Sequence, residues 1–129
     1  MEEARYEIVN AGEQVKQALE RMPTEIAFRL RTSWPREGAG GNVITWGEYA
    51  NISTDCPVVD EIVWQTELWC PQRAELEELA RAVNRAMLTM GLRRVYWGPV
   101  KWEEEAGGCY HKILRFGRKV DKRTMRLID

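Results

Sequence analysis

Between Glu61 and Met90 the periodicity of the chain changes once, and that change constrains the fold more than any other feature. Ile62, Trp64, Thr66 and Leu68 alternate with Val63, Gln65, Glu67 and Trp69, the two-residue period of a strand. Pro71 follows at once, suited to a first helical position because its missing N–H costs little there. Leu76, Leu79, Ala80, Val83, Met87 and Met90 then trace one helical face, and Glu77 precedes Arg81 by four residues, a favourable exposed pair. Gly91 supplies the left-handed conformation that closes a helix. The spacing therefore predicts a helix from Pro71 to Met90. Arg93 to Trp97 and Tyr110 to Phe116 read as strands around the polar connection Glu103 to Gly108, able to form an antiparallel pair. Residues 62 to 116 make a strand, helix and strand unit.

Upstream, Ala4, Ile8, Ala11, Val15, Ala18, Leu19 and Met22 recur at steps of three and four, which predicts a first helix from Ala4 to Met22, stopped by Pro23. Ile26, Phe28 and Leu30 alternate with Ala27, Arg29 and Arg31, a strand extending toward Trp34. Pro35 to Asn42 concentrates glycine and proline and predicts an exposed loop. Val43 to Tyr49 is rich in β-forming residues, and Asn51 to Pro57 has the polar composition of a connection. The expected fold is α+β: a single small domain with a mixed, mainly antiparallel sheet and two main helices, over about 4–22 and 71–90. Residues 118–129 follow it as a basic C-terminal extension, with five basic against two acidic side chains.

A chain of 129 residues with 44% hydrophobic and 30% charged residues suits one core with a hydrated surface. Its net charge of -1 gives no whole-molecule field that attracts a polyanion, so any charge argument is local. The opening Met-Glu-Glu-Ala-Arg is not that of a secretory signal and no apolar run reaches membrane-spanning length, so an intracellular, soluble protein without a membrane partner is expected.

Chemistry is thinly provided. Cys56, Cys70 and Cys109 are odd in number and irregularly spaced, which argues against a disulfide framework, and with His111 they are the only thiols and the only imidazole in the chain. Cys109 and His111 share a strand face but lack the close cysteine pairs of structural zinc, so no metal is expected. A nucleophile would need His111 or a lysine as base and a third group to orient it, and nothing specifies that arrangement. Glu103, Glu104 and Glu105 beside Gly107 and Gly108 read as a solvated turn. Gly38 to Gly41 lacks the lysine and hydroxyl residue of a phosphate loop. The sequence predicts no enzyme and no cofactor, but a protein that binds.

Six tryptophans, at 34, 46, 64, 69, 97 and 102, offer large contact area. Trp64 shares a face with Ile62 and Leu68; Trp69 lies opposite, either at an interface or beneath the first helix. The basic segment beyond Phe116 fits phosphates, an acidic partner or water, and a dedicated DNA reader would need stacking aromatics beside it.

Three segments in fixed order carry a family resemblance. Ile44-Thr45-Trp46-Gly47-Glu48-Tyr49, followed by Asn51 and Ser53, looks like a strand of the form I-T-Y-x-E. Glu61 to Trp69 resembles the next strand, ending in an aromatic and leading into the helix. Gly91 to Arg94 and Gly108 to Phe116 resemble the helix end and last strand. Together they are similar to the tail terminator, or tail completion, proteins of long-tailed bacteriophages and prophages. The resemblance implies an α+β subunit of the virion neck, assembled in the host cytoplasm. It implies a homo-hexameric ring on the head-proximal end of the tail tube that stops tube polymerisation and meets the head connector or stopper protein. DNA would only pass through such a ring. Departures are the tryptophan in the first motif, the wealth of tryptophan elsewhere and the basic segment after Phe116. Candidate contacts with neighbours are Trp34, Arg36, Glu37 and Asn42 around the loop, Trp69 and Trp102, Arg115, and Arg118, Lys119, Lys122, Arg123 and Arg126 in the basic segment. Two other readings stay open: a head completion or stopper subunit on the portal side, and a small DNA-binding regulator using the basic C-terminus.

Overall fold

In a computed structural model of the protein, residues 11–33 and 40–128 are described. The sheet is organised by its two longest strands, β3 (Val59–Cys70) and β6 (Cys109–Asp121), which pair antiparallel along their whole length, from Val59 opposite Asp121 to Cys70 opposite Tyr110. β2 (Val43–Ser53) pairs antiparallel with β3, and the short edge strand β1 (Arg29–Arg31) pairs parallel with β2. The other edge of β6 is lined in turn by β5 (Lys101–Glu103), β4 (Arg93–Trp97) and β7 (Arg126–Leu127). Among the described residues this is one sheet of seven strands, mainly antiparallel.

Helices α1 (Ala11–Glu20) and α2 (Arg73–Thr89) cover one face of the sheet. Ala11, Val15, Leu19 and Met22 meet Leu76, Leu79, Ala80, Val83 and Met87, and beneath both lie Ile44, Ile62, Trp64, Leu68, Leu114, Phe116 and Val120. Because side chains alternate along a strand, the even-numbered positions of β3 and β6 build this core and the odd-numbered ones point away from the helices. Among the described residues, the expected α+β fold with a mixed, mainly antiparallel sheet and two helices is what forms.

Several boundaries differ for physical reasons. Of the first predicted helix, Ala11–Glu20 forms, and the predicted residues 4–10 lie outside the described residues. Ile26, Phe28 and Leu30 do alternate inward, but only Arg29 to Arg31 enters the ladder. Asn51 to Ser53 is strand, not connection, because backbone pairing with Asp60 to Ile62 tolerates polar residues where both faces meet water. Thr54 then closes the hairpin, its Oγ1 donating to Val59 O at 2.7 Å. Pro71 precedes the N-cap Gln72 and is not the first helical residue. At the other end Gly91, with φ +85°, makes the left-handed turn, and Leu92 N donates to Met87 O at 3.0 Å. That is a Schellman closure with Met87 and Leu92 both in the core.

The last predicted strand, Tyr110 to Phe116, is longer than its periodicity indicates. β6 does not end at Phe116; Arg118 to Asp121 extend it against β3, and after a turn held by Asp121 the chain returns as β7. Single-strand periodicity ended at the last aromatic, whereas the ladder continues wherever a partner backbone is present.

Candidate interface on the uncovered sheet face

The odd-numbered face has its own small core at one end. Trp69 is 1% exposed and packs with Val43, Ala106 and Cys109, so its cover is the turn between β5 and β6 and not the first helix. Its ring lies 3.8 Å from that of His111 at an interplanar angle of 13°, and its Nε1 donates to Thr45 Oγ1 at 3.1 Å. His111 Nε2 is 2.9 Å from Glu67 Oε1 and Nδ1 is 3.4 Å from Glu103 Oε1. Both ring nitrogens thus face carboxylates and neither is aimed at a thiol or hydroxyl. The two carboxylates also lie on opposite sides of the ring, and among the described residues no cluster of His, Cys, Asp or Glu is grouped to hold a metal. Burial pushes the Cys70 thiol up to about 12, helped by Glu75 and Cys109, and raises that of Cys109, helped by Glu103. Both stay as weakly nucleophilic thiols.

Beyond this end no described helix covers the face, and a row of side chains crosses four strands. Gly47, Gln65, Arg115 and Tyr96 are successive register partners on β2, β3, β6 and β4. β2 carries one extra residue at Tyr49, between Glu48 and Ala50, and β4 one at Val95. Such bulges bend a strand and re-aim the side chains beside them. Here they set Tyr49 and Tyr96 on either side of Arg115, whose guanidinium lies 3.9 Å from the Tyr49 ring centroid and 4.6 Å from that of Tyr96. Arg115 Nε also donates to Gln65 Oε1 at 2.7 Å. A Cβ on Gly47 would meet open space, so that position leaves an unfilled lane in the row. A depression of about 160 Å³ beside it is lined by Thr45, Gly47, Tyr49, Gln65 and Glu67. Tyr49 and Ile52 are more than half exposed and Tyr96 is 40% exposed. An arginine already fixed between two exposed tyrosines has the composition of an interface hot spot, and its ordering precedes binding.

Of the other candidate contacts, Trp34, Arg36 and Glu37 lie outside the described residues. Asn42 Nδ2 donates to Ala27 O and Glu75 Oε1, tying the segment before β1 to the first turn of α2. Arg118 points to the helix side, where it donates to Met90 O at the end of α2 and to Ile128 O at 2.9 Å, serving as a helix cap. Lys122 lies 3.8 Å from Asp60 and Arg123 2.8 Å from Asp121, while Lys119 is exposed. Trp102 is exposed on the β5 edge, its Nε1 donating to Glu104 at 2.9 Å and its ring meeting Tyr110 edge-on at 5.0 Å. Arg126 lines a groove between the helices.

Sequence reasoning overlooked Tyr49, Gln65 and Tyr96 as partners of Arg115. The alternation of β3 and β6 carries the signal for Gln65 and Arg115, since the core residues on either side of them exclude them from the helix face. The tyrosines depend on bulges that no periodicity marks. Lys112 was likewise overlooked: it is buried, donates to Gly98 O at 2.6 Å and sits 4.5 Å over Trp97, and burial draws its pKa down. Among the described residues no helix is long and apolar enough to cross a membrane. A scan against models of protein families found no match to the chain, and a search of curated proteins found no similar sequence.

Proposed function

We propose that the protein is a tail terminator subunit of a long-tailed bacteriophage or prophage. In this reading it acts by binding: copies close into a homo-hexameric ring on the last ring of the tail tube, stop its growth and offer a surface to the head connector. The reading is supported by the ordered motifs of residues 44 to 116 and by the Tyr49, Arg115 and Tyr96 row. That row is the single observation that weighs most, because it prepares a contact surface on a sheet face that the described helices leave open. A cyclic ring needs a heterologous contact, in which this surface meets a different one on the next copy or on the tube.

Light scattering coupled to size exclusion, with negative-stain imaging, tests the reading in the presence of tail-tube protein. Rings seated at tube ends are expected, and Arg115→Ala should weaken their formation. A particle that stays monomeric with tube protein present overturns the proposal, and selective binding to portal complexes assigns the subunit to the portal side instead.

A further inference from the structure

A groove of about 810 Å³ runs between α1, the C-terminal half of α2 and β7. Its floor is apolar, with Ala18, Met22, Ala86 and Leu127, and its rim carries Arg21, Arg85, Arg118 and Arg126 with no carboxylate among the lining residues. Arg118 is committed to Met90 O and Ile128 O, but no ion pair among the described residues involves Arg21, Arg85 or Arg126. Gln14 Oε1, on the groove wall, is buried without a hydrogen-bond partner. An apolar floor under unpaired guanidiniums complements a segment that is both acidic and hydrophobic, whereas nucleic acid phosphates would need the cations alone.

The chain carries such a segment. Trp102 is 50% exposed, Glu104 and Glu105 are exposed beside it, and the Glu104 to Gly107 turn presents all three at the edge of the sheet. The turn and the groove lie at opposite ends of β6: Glu103 is the register partner of Cys109, while Arg118 lies nine residues further along the strand. At about 3.3 Å per residue they are roughly 30 Å apart. Complementary surfaces at opposite ends of one subunit are the requirement for a head-to-tail contact, which propagates around a ring when the rotation per copy closes.

We infer that the Trp102, Glu104 and Glu105 turn of one copy docks in the arginine groove of the next. This rests on the proposed ring and names its subunit contact. The test is charge exchange in the full chain. Arg85→Glu with Arg126→Glu, or Glu104→Arg with Glu105→Arg, should each raise the concentration needed for self-association at least ~10-fold, and wild-type association should weaken with added salt. All four substitutions in one chain restore opposite charges at every contact and should recover association. Each changed residue is exposed, and melting followed by circular dichroism checks that each variant folds. Rings that withstand both reversals overturn this contact while leaving the tail terminator reading intact. Loss of tube binding on reversing the groove alone, with self-association unchanged, assigns the groove to the tube protein and also overturns it. Wild-type copies that never associate, with or without tube protein, overturn both.

Discussion

Replacing Trp69 by alanine separates a residue that stabilises the subunit from one that waits for a partner. Burying an indole of about 200 Å² at about 25 cal/mol per Å² gives an upper bound near 5 kcal/mol. The hydrogen bond to Thr45 Oγ1 adds about 1 kcal/mol and the stack on His111 a similar amount. Against this, the small core lies on the face that no described helix covers, so its lining can relax and water can enter. About 4 kcal/mol is expected, within the range for truncating a large aromatic in a core. In a domain of this size that lowers the melting temperature by roughly 15 °C. Trp69→Phe keeps much of the stack, loses the N–H donor and should cost about 1–2 kcal/mol. Urea denaturation followed by far-ultraviolet circular dichroism, at a concentration where the protein is monomeric, reads both. A Trp69→Ala monomer within about 0.5 kcal/mol of wild type, combined with lost assembly, would refute the reasoning and return Trp69 to an interface role.

Arg118→Met should destabilise the monomer by about 1–3 kcal/mol in the same assay, because Met90 O and Ile128 O lose their donor together. Gly91→Ala should cost at least about 1 kcal/mol, since φ is +85° there and the added Cβ would lie 2.8 Å from the Arg118 guanidinium. In the native protein a thiol reagent at pH 8 should modify exposed Cys56 and spare buried Cys70 and Cys109; equal reactivity of all three would contradict the packing. Asp121, held down to about 2 chiefly by the hydrogen bond from the Arg123 side chain and then by its backbone N–H, is lowered from 3.8. A depressed folded value contributes stability above pH ~3.8 that is lost as the pH falls toward 2, and carboxyl NMR titration of wild type against Arg123→Ala should show the shift shrink without vanishing, because the backbone N–H donors of residues 123 and 124 remain.

How much of this was legible in the chain varied with the kind of signal. The inward faces of α1, α2, β3 and β6 follow from spacing alone, because burial of one face imposes a period of 3.6 or 2 on the sequence that folds there. Gly91 announced its turn because few other residues accept that conformation. Where the signal was composition, the reading failed locally: Asn51 to Ser53 and Arg118 to Asp121 are mostly polar or charged yet paired. A ladder is made by backbone groups that every residue but proline carries. The candidate site was half legible. Arg115 stood out beside core positions, but the bulges that bring Tyr49 and Tyr96 to it leave no periodic trace.

By itself the sequence determined the two-layer α+β plan, the strand, helix and strand unit from 62 to 116, and which face of each element turns inward, since those are properties of neighbouring residues. Only the tertiary structure decided that Trp69 is covered by the turn before β6, that Arg118 caps α2, and that an arginine groove and an acidic turn lie at opposite ends of one strand. These depend on pairings between residues distant in the chain, and such pairings are fixed by the packing of the whole sheet against its helices.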